Sequence, residues 1–422
     1  MPPVDRRVLV VGTTADYIEW IRGCRPGQVL FLTDPAVRRE AGEPPPFPNE
    51  EIRCDLTDER LVLEVLVKHL DEWRMTLDGV VCYDCESMAL AARLAGVYDL
   101  PYPSVQSVNN CRDKFRSKAL WRAEQLETPD ARRIGSAGAA IGFFRETGGP
   151  CVLKPLSGSG SEFIFRCNSE RDCERYYRNI AQGLERRKDH RLYQPFAGDA
   201  PDILAEAYVG GEEYSCDFVL ENDQVTLIRV ARKILFDRDP FGTAKAYIVP
   251  GILPETIDAD EFERTLYLSA MALGIRRAVC MLDFIVHDGR MVLLELAPRP
   301  GGDCLPALVR RCHTLDVLPL MLDFARQKPL ALHRPAPHLP MVGLRLHAGQ
   351  AGTLVSIDAH ELRRDPRVQE VHLVRNPGHR IKRPPEDYDA WLLGHVIFLP
   401  DPDRDVATQC RELHDKLAIT VV

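Results

Sequence analysis

An α/β fold in several parts is predicted by three observations. Strand and helix patterns alternate over residues 7–110. Paired strands rich in acids and glycine run from about 150 to 303, and short strands follow a proline-dense stretch at 329–340. At 422 residues the length suits two to four domains. Arg7-Val8-Leu9-Val10-Val11-Gly12 reads as a buried strand ending in glycine. A helix over about 16–23 and a strand over 29–33 follow. The stretch 43–48, EPPPFP, cannot lie inside regular structure. Thr57 or Asp58 is placed to cap a helix through Trp73, with Leu61, Val62, Val65, Leu66, Leu70 and Trp73 as its apolar stripe. Residues 79–83 form the next strand, and 87–94 a helix stopped by Gly96. This order implies a parallel sheet covered on both faces, with ligands at the carboxyl ends of its strands. Asp84-Cys85-Glu86-Ser87 lies at one such end, which makes Glu86 a binding candidate; the plain alternative is a helix-start acid.

Residues 111–135 read as one helix leading into a connector at Thr128-Pro129. The stretch 150–156 is an apolar strand carrying Lys154 inward. Ser157, Gly158, Ser159, Gly160 and Ser161 follow it, a loop whose amides and hydroxyls can converge on an anion. No Gly-Lys-Ser/Thr closes the loop, so it is not a Walker motif. Residues 204–219 read as strand, tight Gly210-Gly211 turn and strand, with Tyr214, Cys216 and Phe218 on one face. A hairpin at 221–223 leads to a strand carrying Arg232 and Lys233. Asp239 to Val249 reads as a mobile loop, 261–273 as a helix ended by Gly274, and about 305–328 as a single helix. The prolines of 329–340 mark a linker, and 341–422 alternates short strands and turns before a closing helix at 405–417.

Composition excludes several classes. A formal charge of −8 argues against a general nucleic-acid binder. No apolar run approaches the length of a membrane span, and the run after Arg6-Arg7 is too short for a signal peptide, so a cytoplasmic location is expected. The 13 cysteines are irregularly spaced and are expected to be reduced and mostly buried. Cys82-x-x-Cys85 has no supporting context for a redox pair. Cys304, Cys312 and His313 read as a helix face rather than a zinc site. His347, His360, His372, His379 and His395 lack ligand spacing, and 379–383 reads as a solvated basic face.

The most informative stretch is 281–303, MLDFIVHDGRMVLLELAPRPGGD. Asp288-Gly289 is a strong hairpin signal, and folding there brings Asp283 and Glu295 to similar height on neighbouring strands. An acid inside VLLELA is costly to bury without a positive partner. Mg²⁺, held by one or two carboxylates with phosphate oxygens and water, suits such a pair. Arginines such as Arg276, Arg277 or Arg290 are the plainer partners. Arg299 adds a planar fork for phosphate or carboxylate, and Gly301-Gly302 allow close backbone approach.

Taken in order, Asp113-Lys114, Lys154 with its Ser/Gly loop, 206–213, Arg232-Lys233, and Asp283 with Glu295 and Arg299 resemble the ATP-grasp superfamily. The likeness is closest to its carboxylate–amine ligases of the L-amino-acid ligase type. The resemblance covers about residues 7–325, and Gly394-His395-Val396-Ile397 with the final helix looks like that group's small last domain. It implies an N-terminal parallel pre-ATP-grasp domain over 1–110 and a two-lobed ATP-grasp domain over 111–328 with a lid at about 135–210. A C-terminal α+β domain over 341–422 would follow linker 329–340.

It further implies that Lys114 and Lys154 touch the nucleotide phosphates and that Ser157, Gly158, Ser159, Gly160 and Ser161 cover them. Glu206, Ala207, Tyr208 and Val209 would read adenine, Leu294 would pack beneath it, and Glu213 would bind ribose. Either Arg232 or Lys233 would face the γ-phosphate. Asp283 and Glu295 would hold Mg²⁺, one ion or two, with Mn²⁺ as a substitute. Arg299 would hold the reacting phosphate, and Glu86, Arg299, Gly301 and Gly302 would meet the substrates. Ala297 stands where the family usually has a metal-binding asparagine. The implied function is ATP-dependent joining of a carboxylate to an amine, amino acids by preference, through an acyl phosphate, with release of ADP. The alternatives are a bicarbonate-using enzyme of the purine-pathway or biotin-carboxylase kind and an ATP-binding module without turnover. A homodimer is in keeping with the family.

Overall fold

A computed structural model describes residues 5–39, 44–193, 203–236, 240–330 and 339–422. Strands β1 (Asp5–Val11), β2 (Val29–Thr33), β3 (Glu51–Arg53) and β4 (Met75–Val81) form a parallel sheet in the order β3-β2-β1-β4. Every residue of β2 is buried, as a sheet covered on both faces requires. The helix Glu59–Trp73 is capped by Asp58, which accepts from Leu61 N–H, and it buries Val62, Leu66 and Leu70. The helix Met88–Val97 runs through Gly96 instead of stopping there. A side chain at Gly96 would meet nothing among the described residues, and one glycine inside a helix costs only about 1 kcal/mol.

The helix expected from 111 into the connector at Thr128-Pro129 is Lys114–Ala123; residues 111 and 112 belong instead to a separate helix before it, Val105–Arg112, and strand β5 (Ala131–Ile134) follows the connector. Asp113 is extended at the break, and its Oδ1 accepts from Phe115 N–H at 3.0 Å and Arg116 N–H at 2.9 Å. Its carboxylate therefore starts a second helix. Lys114 becomes a first-turn residue whose amide donates to Leu156 O at 3.2 Å.

Strands β5, β6 (Cys151–Pro155), β7 (Phe165–Cys167) and β8 (Ile203–Ala207) form a second sheet in the order β5-β8-β6-β7. Helices Ala137–Thr147 and Glu170–Arg186 pack on it. The hairpin expected at Gly210-Gly211 does not form. β8 is paired on both sides, by β5 and β6, so the chain crosses there to another sheet. At Gly211 φ is +141°, and a Cβ would overlap Val286 O.

The central sheet contains β9 (Glu212–Glu221), β10 (Gln224–Leu235), β11 (Ala244–Val249), β12 (Ala278–His287) and β13 (Arg290–Ala297). Residues 244–249 are thus strand, not loop; pairing with β10 on one side and the C-terminal part on the other buries them. Asp239 lies outside the described residues. Residues 305–325 make two helices, Leu305–His313 and Val317–Ala325. Thr314 between them is left-handed at φ +54°, and Asp316 accepts from Leu318 N–H.

The remaining strands are β14 (Met341–His347), β15 (Gly352–Asp358), β16 (Val368–Leu373), β17 (Arg380–Ile381), β18 (Leu392–Phe398) and β19 (Ala418–Val421). β14, β18 and β16 extend the central sheet to the order β13-β12-β9-β10-β11-β14-β18-β16. Most of the expected linker, 331–338, lies outside the described residues. The expected closing helix spans Val406–His414 and is followed by β19, which pairs with β15.

Candidate active site

The hairpin of β12 and β13 sets the site. Asp288 and Gly289 turn with φ of +47° and +75°, the left-handed pair of a two-residue hairpin loop. That turn fixes the register so that Asp283 and Glu295 are direct cross-strand partners. Asp283 Oδ2 lies 2.8 Å from Lys233 Nζ, and Lys233 also reaches Glu213 at 2.7 Å. Asp283 Oδ1 is buried and, among the described residues, has no hydrogen-bond partner. Glu295 Oε2 lies 3.2 Å from Lys114 Nζ. Of the plainer partners, Arg277 pairs with Glu221 and Arg290 with Glu127, while Arg276 donates to Met271 sulfur. The two acids are left to the lysines.

These residues line one cleft of about 860 Å³, counting its open mouth. Lys114, Lys154, Gly158, Ser159, Ser161, Glu206, Ala207, Tyr208, Val209, Glu213, Lys233, Asp283, Leu294 and Glu295 all reach it. Val152, Ile164, Phe241 and Ile285 complete an apolar wall. Ser157 is buried beneath the loop, and Gly160 turns it at φ +65° without lining the cleft. The loop is tied down where Lys114 Nζ donates to Gly158 O at 3.2 Å and Ser161 Oγ to Gly242 O at 2.7 Å. Tyr208 lies under the Arg166 guanidinium, 3.9 Å from its ring centre. The N–H groups of Ala207 and Tyr208 already donate to Asp130 O and Pro150 O, so those two donors are spent.

Two further groups join this network without a motif to mark them, Lys118 behind the cleft wall and Glu162 in it. Lys118 sits one helical turn after Lys114, fully buried. It donates to Leu294 O at 2.8 Å and lies 2.8 Å from Glu206 Oε1. The i, i+4 spacing from Lys114 was the available signal. Lys154 meets the same acid at 2.7 Å. Glu162 also lines the cleft and bonds Arg187 and Tyr193.

The charges follow from this packing. Burial pushes Lys118 down to about 8, partly offset by Glu206 and reinforced by Lys154. Burial would raise Glu206, but Lys118 and Lys154 hold it below the usual range. Burial would likewise raise Glu295, yet Lys114 and Lys154 bring it to about 2. Glu213 is raised by burial, with Lys233 only partly compensating. Lys233 itself is raised: burial opposes its charge, but Asp283 and Glu213 together outweigh that.

Arg232 is a correction. Strand alternation turns it away from Lys233, and it pairs with Glu212 at 2.9 Å with both side chains largely exposed. It does not reach the cleft. Arg299 is buried outside the cleft and donates to Cys85 Sγ at 2.8 and 3.2 Å and to Pro300 O at 2.7 Å. Gly301 is not open to a ligand: its N–H donates to Asp217 Oδ1 at 3.0 Å. Gly302 sits beside Arg299. Glu86 lines neither the cleft nor the smaller hollow next to it; burial and neighbouring Asp84 push it up to about 7. That smaller hollow shares Lys114, Gly158 and Glu295 with the cleft and adds Cys85, Met88, Arg112, Leu192 and Ala297.

All described cysteines are free, and all but Cys24 and Cys85 are buried. Cys82 donates to Asp84 O, Cys304 to Gly343 O and Cys312 to Val249 O. The thiols that converge among the described residues are Cys151, Cys167 and Cys173, which no sequence spacing revealed.

The donor set fits a hard divalent cation. An Asp283 oxygen with no hydrogen-bond partner among the described residues and an ionised Glu295 on the next strand supply the oxygens such an ion takes. Ala297 supplies none; its side chain packs into the N-terminal core.

Residues 147–307 match the ATP-grasp domain family. A D-alanine–D-alanine ligase from Acidovorax ebreus (strain TPSY) is 27% identical over 213 residues, 48% of this chain and 58% of that protein. The chain thus spans a little over half the length of that curated relative. The structure superposes on an L-amino acid ligase from Bacillus licheniformis with a TM-score of 0.76 at 19% identity, covering 99% of both chains. It also superposes on the biotin carboxylase domain of a 2-oxoglutarate carboxylase from Hydrogenobacter thermophilus, solved with MgADP, ADP and bicarbonate. There the TM-score is 0.69 at 15% identity, covering 99% of this chain and 91% of that one. Among the described residues no helix is long and apolar enough to cross a membrane.

Proposed function

We propose that this ATP-grasp protein is an ADP-forming ligase that joins a small-molecule carboxylate to an amine, with amino acids as the substrate class. The observation that carries the reading is the register of Asp283 with Glu295, both opposite lysines in a cleft roofed by the Ser/Gly loop. Phosphoryl transfer rests on position and charge neutralisation more than on a protein nucleophile. A divalent ion, when bound, would screen the phosphates and hold their oxygens in line for transfer.

The chain's own residues do the rest. Asp283 and Glu295 hold the ion; Lys114 and Lys154 neutralise phosphate oxygens. Lys233, on the face of β10 turned to the cleft, meets the terminal phosphate. Gly158, Ser159 and Ser161 close over it and keep water from the acyl phosphate. Tyr208, Val209 and Leu294 hold the base, and Glu213 the ribose. Arg299 and Glu86 stand outside the cleft wall; across the smaller hollow, which is lined by Arg299's partner Cys85, Arg299 would steady the reacting phosphate and Glu86 an incoming ammonium. The carboxylate substrate would enter by the smaller hollow, since its shared wall of Lys114, Gly158 and Glu295 brings it to the phosphate end of the cleft.

Incubation with MgATP and a panel of amino-acid pairs, read by mass spectrometry, is the test. A product lighter than its substrates by one water, with matching ADP, is expected. Tight MgATP binding without release across the panel would favour a non-catalytic nucleotide module, the reading that Ala297 supports. Strict bicarbonate dependence of ADP release would favour carboxylase-like chemistry, which the likeness to the biotin carboxylase domain supports.

A further inference from the structure

Glu213 and Lys233 share a face of β9 and β10 with a second ion pair, Asp217–Arg229, further from the cleft. These two are 1% and 2% exposed. The pairing is forked: Arg229 Nε donates to Asp217 Oδ2 and Nη2 to Oδ1, each at 2.9 Å. Arg229 Nη1 donates to Ser215 O at 2.9 Å and Nη2 to Ser215 Oγ at 3.1 Å. A buried ion pair seldom repays its own desolvation, so stability alone does not account for it.

Asp217 has one more partner, and it belongs to another segment. Gly301 N–H donates to Oδ1 at 3.0 Å, and a Cβ at position 301 would overlap Arg229 Nη2. Arg299 lies between the end of β13 at Ala297 and this anchor. Its own bonds go to Cys85 Sγ and Pro300 O. Two residues past the anchor, Asp303 meets Arg345 Nε at 2.6 Å and Tyr247 OH at 3.4 Å. The loop is therefore pinned twice, and the pin nearer Arg299 is the buried pair.

We infer that Asp217 and Arg229 are positioning residues: through the Gly301 N–H they fix the loop that aims the Arg299 guanidinium. The catalytic consequence rests on the role proposed above for Arg299; the positional one does not. Two matched variants isolate the contact. Asp217→Asn/Arg229→Met removes both charges but keeps an oxygen for Gly301 N–H. Asp217→Leu/Arg229→Met removes both charges and that oxygen.

Amide exchange over residues 297–304, read by mass spectrometry, should rise about tenfold in the Leu/Met variant and stay near wild type in the Asn/Met variant. With an active substrate pair, kcat should fall about a hundredfold in the Leu/Met variant alone, while KM for ATP stays within about threefold. Equal melting temperatures for the two variants would show that folding is not what separates them. Gly301→Ala, which presses on Arg229 without removing it, should reproduce the kcat loss and serves if the Leu/Met variant does not fold. Equal exchange and equal kcat in the two doubles, or a kcat loss matched by a rise in KM for ATP, would overturn the inference. If wild type releases no ADP with any pair, the ligase reading fails, and the exchange comparison still decides the clamp.

Discussion

The two ends of the cleft carry opposite arrangements of the same charges. At Glu206 one carboxylate stands between two lysines, Lys118 and Lys154. At Lys233 one ammonium stands between two carboxylates, Asp283 and Glu213. The first end has an excess of positive charge and the second an excess of negative charge. An anion suits the first and a cation the second. A phosphate chain with its metal needs both, side by side.

The difference can be broken from either end. The largest effect is expected at the acidic end. Asp283→Asn or Glu295→Ala should lower amine-dependent ADP release by about a thousandfold or more, since metal and phosphate lose their anchor. At the basic end the effect divides between activity and stability. Lys154→Ala should weaken MgATP and cut turnover about a hundredfold. Glu206→Ala strips two buried lysines of their counter-ion and should cost about 3–5 kcal/mol in denaturant unfolding.

Acidity offers a smaller effect. Glu86 is raised to about 7 by burial, so it ionises only as pH rises through that value. If its charge holds the amine, KM for the amine should fall between about pH 6 and 8, and Glu86→Gln should flatten that limb. The sign for stability is opposite. Raised above its unfolded value, Glu86 costs stability as pH climbs towards 7, so Glu86→Gln should melt higher than wild type at pH 8. The smallest effect is expected at Arg232→Ala, within about twofold of wild type, because its exposed pair with Glu212 adds little.

Legibility followed the range of the forces involved. The Asp283–Glu295 register could be read because a two-residue Asp-Gly turn fixes it locally. Lys154 could be read because its strand and loop are contiguous. The choice between Arg232 and Lys233 could not, since alternation says only that they face opposite ways, not which way is inward. Lys118 was missed because a buried lysine is tolerable only beside Glu206, which arrives on strand β8, distant in sequence from the helix that carries Lys118. The crossing at Gly210-Gly211 was misread for a like reason: a strand already paired on both sides cannot close a hairpin. The break at Asp113 was legible in principle, since aspartate before Lys114 is a good cap.

Manganese binding followed by electron paramagnetic resonance, with and without ATP, asks whether Asp283 and Glu295 hold the metal. Wild type should take up Mn²⁺ in an ATP-dependent manner, and Asp283→Asn/Glu295→Gln, still folded, should take up almost none. Unchanged Mn²⁺ uptake in that double variant would contradict that role.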